Sequence, residues 1–190
     1  METVEFWRGD FGKEYTKRNR LNWRDRVNFW DHILDLTGAT SVLDVGCNAG
    51  WNMLAIKSIS DIPMSGVDVN EDAIQEAQSH GFDVIEGRAD QVADLFGHGS
   101  ADLVVTSGVL IHIAPDDLIP SMTAIRDVSA RYVLAVEYNS DTVQEVEYRG
   151  HKGRLWKRDF GKLYEGLGLS LEETGIAEGF DRCTYWLFAK

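Results

Sequence analysis

The sequence is poor in cysteine and proline, has no closely paired histidines and contains no long apolar run. Its two cysteines, Cys47 and Cys183, lie far apart and make neither a disulfide framework nor a metal-ligand spacing. None of the five histidines, His32, His80, His98, His112 and His151, has a partner at helical i, i+4 spacing, so no metal is expected. The three prolines, Pro63, Pro115 and Pro120, fall at or next to breaks, and there is no Pro-rich or Ser-rich linker. No apolar stretch approaches the ~20 residues that cross a bilayer. Residues Met1 to Glu5 carry neither a basic nor an apolar leader region, so a cytoplasmic location is expected. Positive charge is also scarce: 19 Lys and Arg face 31 Asp and Glu, for a net charge of -12. Such a surface repels a nucleic-acid backbone, and a small-molecule partner is favoured over a polynucleotide. Two local basic groupings remain, Arg18, Arg20, Arg24 and Arg26, and His151, Lys152, Arg154, Lys157 and Arg158. Oligomeric state is not legible.

What is present is a core. At 190 residues and 44% hydrophobic, the chain reads as one domain with a terminal arm. From about residue 40, short apolar runs alternate with amphipathic stretches. Strands are predicted at 41–45, 65–69, 83–86, 102–106 and 132–136, with helices at 51–60, after an Asn70 N-cap, and at 120–129 with Pro120 in the first turn. This rhythm predicts a doubly wound, mostly parallel α/β sheet. Two late strands, 169–173 and 184–188, close by a hairpin and add an antiparallel strand. The first 38 residues form a separate helical arm, with helices predicted at 12–19 and 22–37, ahead of a ligand-binding domain at 39–190.

Chemistry concentrates at Val42-Leu43-Asp44-Val45-Gly46-Cys47-Asn48-Ala49-Gly50. A glycine turn between a strand and a helix is where an open α/β sheet binds its ligand. Gly46 and Gly50 permit a sharp turn, and Asn48 stands where a third glycine is common, in a residue type that tolerates positive φ. The dinucleotide pattern G-x-G-x-x-G fails, because counting from Gly46 gives Asn48 and then Trp51. Charge argues the same way. A carboxylate at Asp44 repels a pyrophosphate, whereas it favours the ammonium and sulfonium of S-adenosylmethionine. Asp68, 22 residues after Gly46 at a strand end, suits ribose hydroxyls in either ligand.

With these residues in order, the chain resembles the class I S-adenosylmethionine-dependent methyltransferases. Asp44 to Gly50 looks like their first motif, Asp68 like the acidic ribose binder, and Asp102 to Ile113 like the fourth-strand motif. The resemblance implies a Rossmann-like seven-stranded sheet. A closer likeness, to the methyltransferases associated with pseudaminic acid biosynthesis, rests on Phe6-Trp7, Phe11-Gly12, Tyr15, Arg18-Asn19, Val45 to Asn48, Val109 to Ile113, Glu137-Tyr138, Tyr148 to Gly150 and Lys157 to Phe160. It implies methyl transfer more firmly than it implies a substrate. One departure concerns adenine: Gly87 is followed by Arg88, then Ala89 and Asp90, so Asp90 or backbone near Ala89 has to serve. The resemblance also implies that Ser107 lines the methionine half of the cofactor.

The remaining candidates follow from placement. His112, in the loop after the fourth strand, is a candidate base. Glu137 and Tyr138 end the fifth strand at the ligand edge and are candidate catalytic groups. Tyr15 and Arg18 lie on an arm expected to close over the cofactor, with Arg18 pairing with the methionine carboxylate. Tyr138, Tyr148 and Arg149 are expected to bind the substrate, Arg149 as anion anchor. Trp7, Trp23 and Trp30 read as packing anchors. The expected activity is methyl transfer to a hydroxyl, amine or carboxylate of a small polar metabolite, an acidic sugar or related intermediate among the candidates. The competing readings are a non-catalytic cofactor-binding module and, behind it, an NAD-dependent oxidoreductase.

Overall fold

The computed structural model describes residues 2–190. Its centre is a seven-stranded sheet. The strands are β1 (Val42–Val45), β2 (Met64–Asp68), β3 (Asp83–Glu86), β4 (Ala101–Ser107), β5 (Ser129–Glu137), β6 (Ser170–Ile176) and β7 (Thr184–Ala189). Their order is β3-β2-β1-β4-β5-β7-β6. The pairs from β3 to β5 are parallel, and β7 runs antiparallel between β5 and β6. The predicted late hairpin is therefore present, and it contributes β7 and β6 to the edge of the sheet.

The central strands are continuous apolar runs because both faces are covered. Side chains alternate between two packed layers. Leu43, Val45, Val104, Val133 and Ala135 enter one cluster; Val42, Leu103, Val105, Leu134 and Val136 enter the other. The first layer takes Met122, Ile125 and Val128 from α7 (Pro115–Val128) and Phe160 and Tyr164 from α8 (Phe160–Gly166). The second takes Phe29, Trp30 and Ile33 from α3 (Val27–Thr37) and Ala55 and Ile56 from α4 (Trp51–Lys57).

Two boundaries differ from expectation. The helix before β5 starts at Pro115, which occupies the first turn, and Pro120 lies inside it. Proline lacks only an N–H that the first turn leaves unpaired, so Pro115 is the natural start. The N-terminal arm divides in two. Its first part holds α1 (Glu2–Arg8), which periodicity did not reveal, and α2 (Asp10–Arg18). Its second part, α3, is buried against the sheet and belongs to the core. Asn70 caps α5 (Glu71–Ser79) as predicted, its side chain accepting from the Ala73 N–H.

Candidate functional site

The sheet reverses direction of growth at β1, whose neighbours are β2 and β4. A crevice at the C-terminal ends of strands forms at such a point. Here it is lined by Gly46, Asn48, Asp68, Ala89, Asp90, Ser107, Tyr15 and His112, all expected from sequence, together with Trp7, Arg26, Trp51 and Asn52.

The turn after β1 is built on positive φ at Gly46 (73°), Asn48 (50°) and Gly50 (79°). A side chain at 46 could not be tolerated, since a Cβ there would lie 2.5 Å from Val109 Cγ2. Gly50 begins α4 and faces Phe82 rather than the crevice. The turn leads straight to Asp68. Its Oδ2 accepts from the Asn48 N–H at 2.9 Å, and its Oδ1 accepts from the Asn70 N–H at 2.9 Å. Each oxygen keeps a further lone pair for hydroxyl donors in the crevice. Burial raises the carboxyl's pKa against these bonds.

At the other side of the turn sits a buried polar chain. Asp44 is buried, with Oδ2 accepting from Asn52 Nδ2 at 3.3 Å and Oδ1 without a partner among the described residues. Asn52 Oδ1 accepts in turn from Arg26 Nη1 at 2.8 Å. Desolvation pushes the Asp44 carboxyl up to about 7 and the Arg26 guanidinium down to about 10. A buried carboxylate oxygen with no donor is costly. It suits a ligand that brings a positive N–H group. Arg26 lines the crevice, with Asp44 behind it through Asn52, and suits that ligand's carboxylate. Arg18 does not: it is exposed and lies over the Phe11 ring, 4.9 Å from its centroid.

At the opposite end, Arg88 grips Asp90 through two bonds, Nε to Oδ1 at 2.9 Å and Nη2 to Oδ2 at 2.6 Å. The unusual Arg88 thus neutralises the acid beside it, and both residues line the crevice with Ala89. The roof is α1 and α2. Gly12 permits their tight corner, since a Cβ would fall 1.7 Å from the Trp7 carbonyl oxygen. Asn70 Nδ2 donates to that same carbonyl at 2.9 Å, which docks the roof beside Asp68. Tyr15 accepts from Asn19 Nδ2 at 2.8 Å, and desolvation raises its phenol to about 12.

Besides Arg18 and Gly50, four more expected residues stand elsewhere. Glu137 does not line the crevice. It is fully buried and accepts from the Val109, Leu110 and Ile111 N–H groups at 3.0, 3.0 and 3.4 Å. Its carboxylate shapes the loop carrying His112, and desolvation raises it to about 7. Tyr138 donates to Asp181 Oδ2 at 2.5 Å, away from the crevice. The excursion after β5 folds into a small hairpin, 144–145 against 156–157. Tyr148 reaches the roof, its ring 6.2 Å from Trp7 and 4.9 Å from His112. Arg149, at φ 50°, occupies the exposed 148–151 turn with Gly150 at 84°, so it anchors nothing in the crevice.

Residues 42–132, which hold the glycine turn, Asp68 and β4, match the family model described as a methyltransferase domain. Residues 42–132 thus carry a methyltransferase domain. The fold is shared with magnesium protoporphyrin IX methyltransferase from Synechocystis PCC 6803, solved with S-adenosylhomocysteine, at TM-score 0.72 and 16% identity over 100% of this chain and 98% of that one. It is shared too with 1,6-didemethyltoxoflavin-N1-methyltransferase from Burkholderia thailandensis, at TM-score 0.75 and 18% identity over 100% and 89% of the two chains. A SAM-dependent methyltransferase from Archaeoglobus fulgidus aligns at TM-score 0.69 and 16% identity over 96% and 100%. At these identities the likeness is one of fold, the class I methyltransferase fold. No curated protein sequence matches the chain. The unpartnered Asp44 oxygen and the free lone pairs of Asp68 fit the ammonium and ribose of S-adenosylmethionine.

Several residues of the crevice, Trp51 among them, were not expected as site residues. Arg26 was hidden in an arginine-rich stretch, and only the packing of the turn 23–26 beside α4 selects it over Arg18. Asn52, one turn into α4, had a legible signal in its position just after the glycine turn. Trp7 packs against Phe11, Tyr15, His112 and Tyr148, as expected of a packing anchor, and also lines the crevice, and Trp30 is in the core as expected. Among the described residues no helix is long and apolar enough to cross a membrane, and no acidic, His or Cys cluster could hold a metal.

Proposed function

We propose that this methyltransferase transfers the methyl group of S-adenosylmethionine to a small polar metabolite, and that α1 and α2 form the lid under which it does so. The observation that carries the reading is the buried, donor-poor Asp44 beside Arg26 at one end of a crevice whose middle is Asp68. In this reading Asp44 and Arg26 take the ammonium and carboxylate of the methionine part. Asp68 takes the ribose hydroxyls, and Ser107, Gly46 and Asn48 supply close backbone. Adenine lies toward Ala89, with the Arg88–Asp90 pair beside it.

The displaced methyl is activated by its own sulfonium. The protein's work is to align the acceptor and keep water out. The crevice encloses about 190 Å3. Ligand pockets usually reach ~300–1,000 Å3. The crevice is roofed by α1 and α2 whereas α3 packs on the sheet, which supports a lid ending with α2 rather than at residue 38. The small crevice and the net charge of -12 favour a metabolite over a nucleic acid. The resemblance to the pseudaminic acid-associated methyltransferases favours an acidic sugar as acceptor, without Arg149 as its anchor.

Calorimetry with S-adenosylmethionine, S-adenosylhomocysteine and NAD tests the cofactor assignment. Binding of both sulfur nucleosides is expected. Tight binding of NAD with no response to either would overturn it.

A further inference from the structure

His112 closes the short turn 110–112 after β4, and its ring is wedged between the roof and the hairpin. The ring centroid lies 4.6 Å from that of Trp7 and 4.9 Å from that of Tyr148. Nδ1 is 2.6 Å from the carbonyl oxygen of Arg154. A carbonyl can only accept, so Nδ1 carries the hydrogen. The neutral ring then presents a lone pair at Nε2, which has no partner among the described residues on a side chain that lines the crevice. Burial, with no neighbouring charge to oppose it, keeps the ring neutral by lowering its pKa to about 4.

Resting on the methyl-transfer reading above, we propose that the methyl acceptor is a hydroxyl oxygen whose hydrogen is directed to Nε2 of His112, and that the Arg154 carbonyl is the positioning group that fixes this tautomer. The three acceptor types left open by the sequence now separate. A hydroxyl offers a hydrogen to the imidazole lone pair and keeps its own lone pairs for in-line attack. A carboxylate brings lone pairs against a lone pair and finds no donor there. An ammonium must lose a proton before it can attack, and alkyl ammonium groups hold theirs to about 10. Imidazole is a far weaker base than an alkyl amine, and burial weakens this one further, so it is poorly matched to that task.

The step balances without another reagent. The acceptor oxygen forms a bond to the methyl carbon while the carbon–sulfur bond breaks, its electron pair returning to sulfur. The sulfonium becomes a neutral thioether, and the proton of the strongly acidic methylated oxygen passes to Nε2. An imidazolium of such low pKa then releases that proton to water when the roof opens. Weak basicity suffices here because the proton moves as the carbon–oxygen bond forms, not before it.

The test uses the full chain with two readouts. The first is long-range proton–nitrogen NMR of the S-adenosylhomocysteine complex, with the ring signals assigned by their loss in His112→Gln. A neutral ring bearing its hydrogen on Nδ1 from pH 6 to 8 is expected; hydrogen on Nε2, or an imidazolium, overturns the proposal. The second is transfer of labelled methyl from S-adenosylmethionine to three acceptor mixtures. These are sorbitol, glucose and inositol; cyclohexylamine and benzylamine; and cyclohexanecarboxylate and benzoate. Label is expected in the first mixture alone, and His112→Phe should cut it by ~100-fold or more with S-adenosylhomocysteine binding little changed. Greater label in either other mixture, or none in the first, overturns the assignment. Loss of the cofactor reading itself would show separately, as absence of S-adenosylhomocysteine binding in calorimetry.

Discussion

Cofactor affinity should depend on pH through Asp44. Its carboxyl is held at about 7 because desolvation outweighs the Asn52 hydrogen bond and the attraction of Arg26, and Asp68 adds to the upward push. The ammonium of the cofactor pairs only with the ionised form, so binding draws off the proton. Affinity should therefore rise as pH climbs toward 7 and level off above it. One unit below the pKa about a tenth of Asp44 is ionised, which corresponds to about tenfold weaker binding, or about 1.4 kcal/mol. Above about 8 the cofactor's own amino group deprotonates and affinity should fall again. Calorimetry with S-adenosylhomocysteine at half-unit steps from pH 5.5 to 8.5, in two buffers of different ionisation enthalpy, measures both the affinity and the proton released. Glu137 titrates in the same window. Its carboxylate is bound to loop N–H groups, so Glu137→Gln should leave the acid limb in place. Asp44→Asn should bind more weakly at pH 7.5 and lose that limb. A flat acid limb in the unaltered protein, or one that survives in Asp44→Asn, would refute the assignment of Asp44 to the ammonium.

Three further outcomes are expected. Arg26→Ala should weaken S-adenosylhomocysteine by ~10–100-fold, as for a lost charge-assisted pair, while barely changing 5′-methylthioadenosine, which lacks the carboxylate; Arg18→Ala should change neither, and calorimetry reads all four values. A chain lacking residues 1–20 should keep the circular dichroism and cooperative melting of a folded α/β domain, because α3 stays on the sheet, but should bind cofactor poorly; unchanged affinity would remove the lid. Gly46→Ala combines a φ of 73° with a 2.5 Å approach to Val109, so denaturant melts should show a loss of ~1–3 kcal/mol or more, together with lost cofactor binding.

The strands, the glycine turn and Asp68 were legible in the sequence because their signals are local. Apolar runs such as Leu103-Val104-Val105 mark strands covered on both faces, and a turn between a strand and a helix carries its own residue code. Asn70 was readable as a cap for the same reason. What depends on distance along the chain was not readable. Arg18 and Arg26 look alike in sequence, and only the docking of 23–26 against α4 places the second beside Asn52 and Asp44. Glu137 ends a strand at the ligand edge, the position of a catalytic group, yet three backbone N–H groups from the β4 loop claim it. Arg149 was credited with an anchor's role, but the turn that needs positive φ at 149 and 150 carries it to solvent. The tautomer of His112 is fixed by a carbonyl 42 residues away. Periodicity and motif report on a residue's immediate neighbours; which buried charge meets which partner is decided only when separate segments pack together and water is excluded between them.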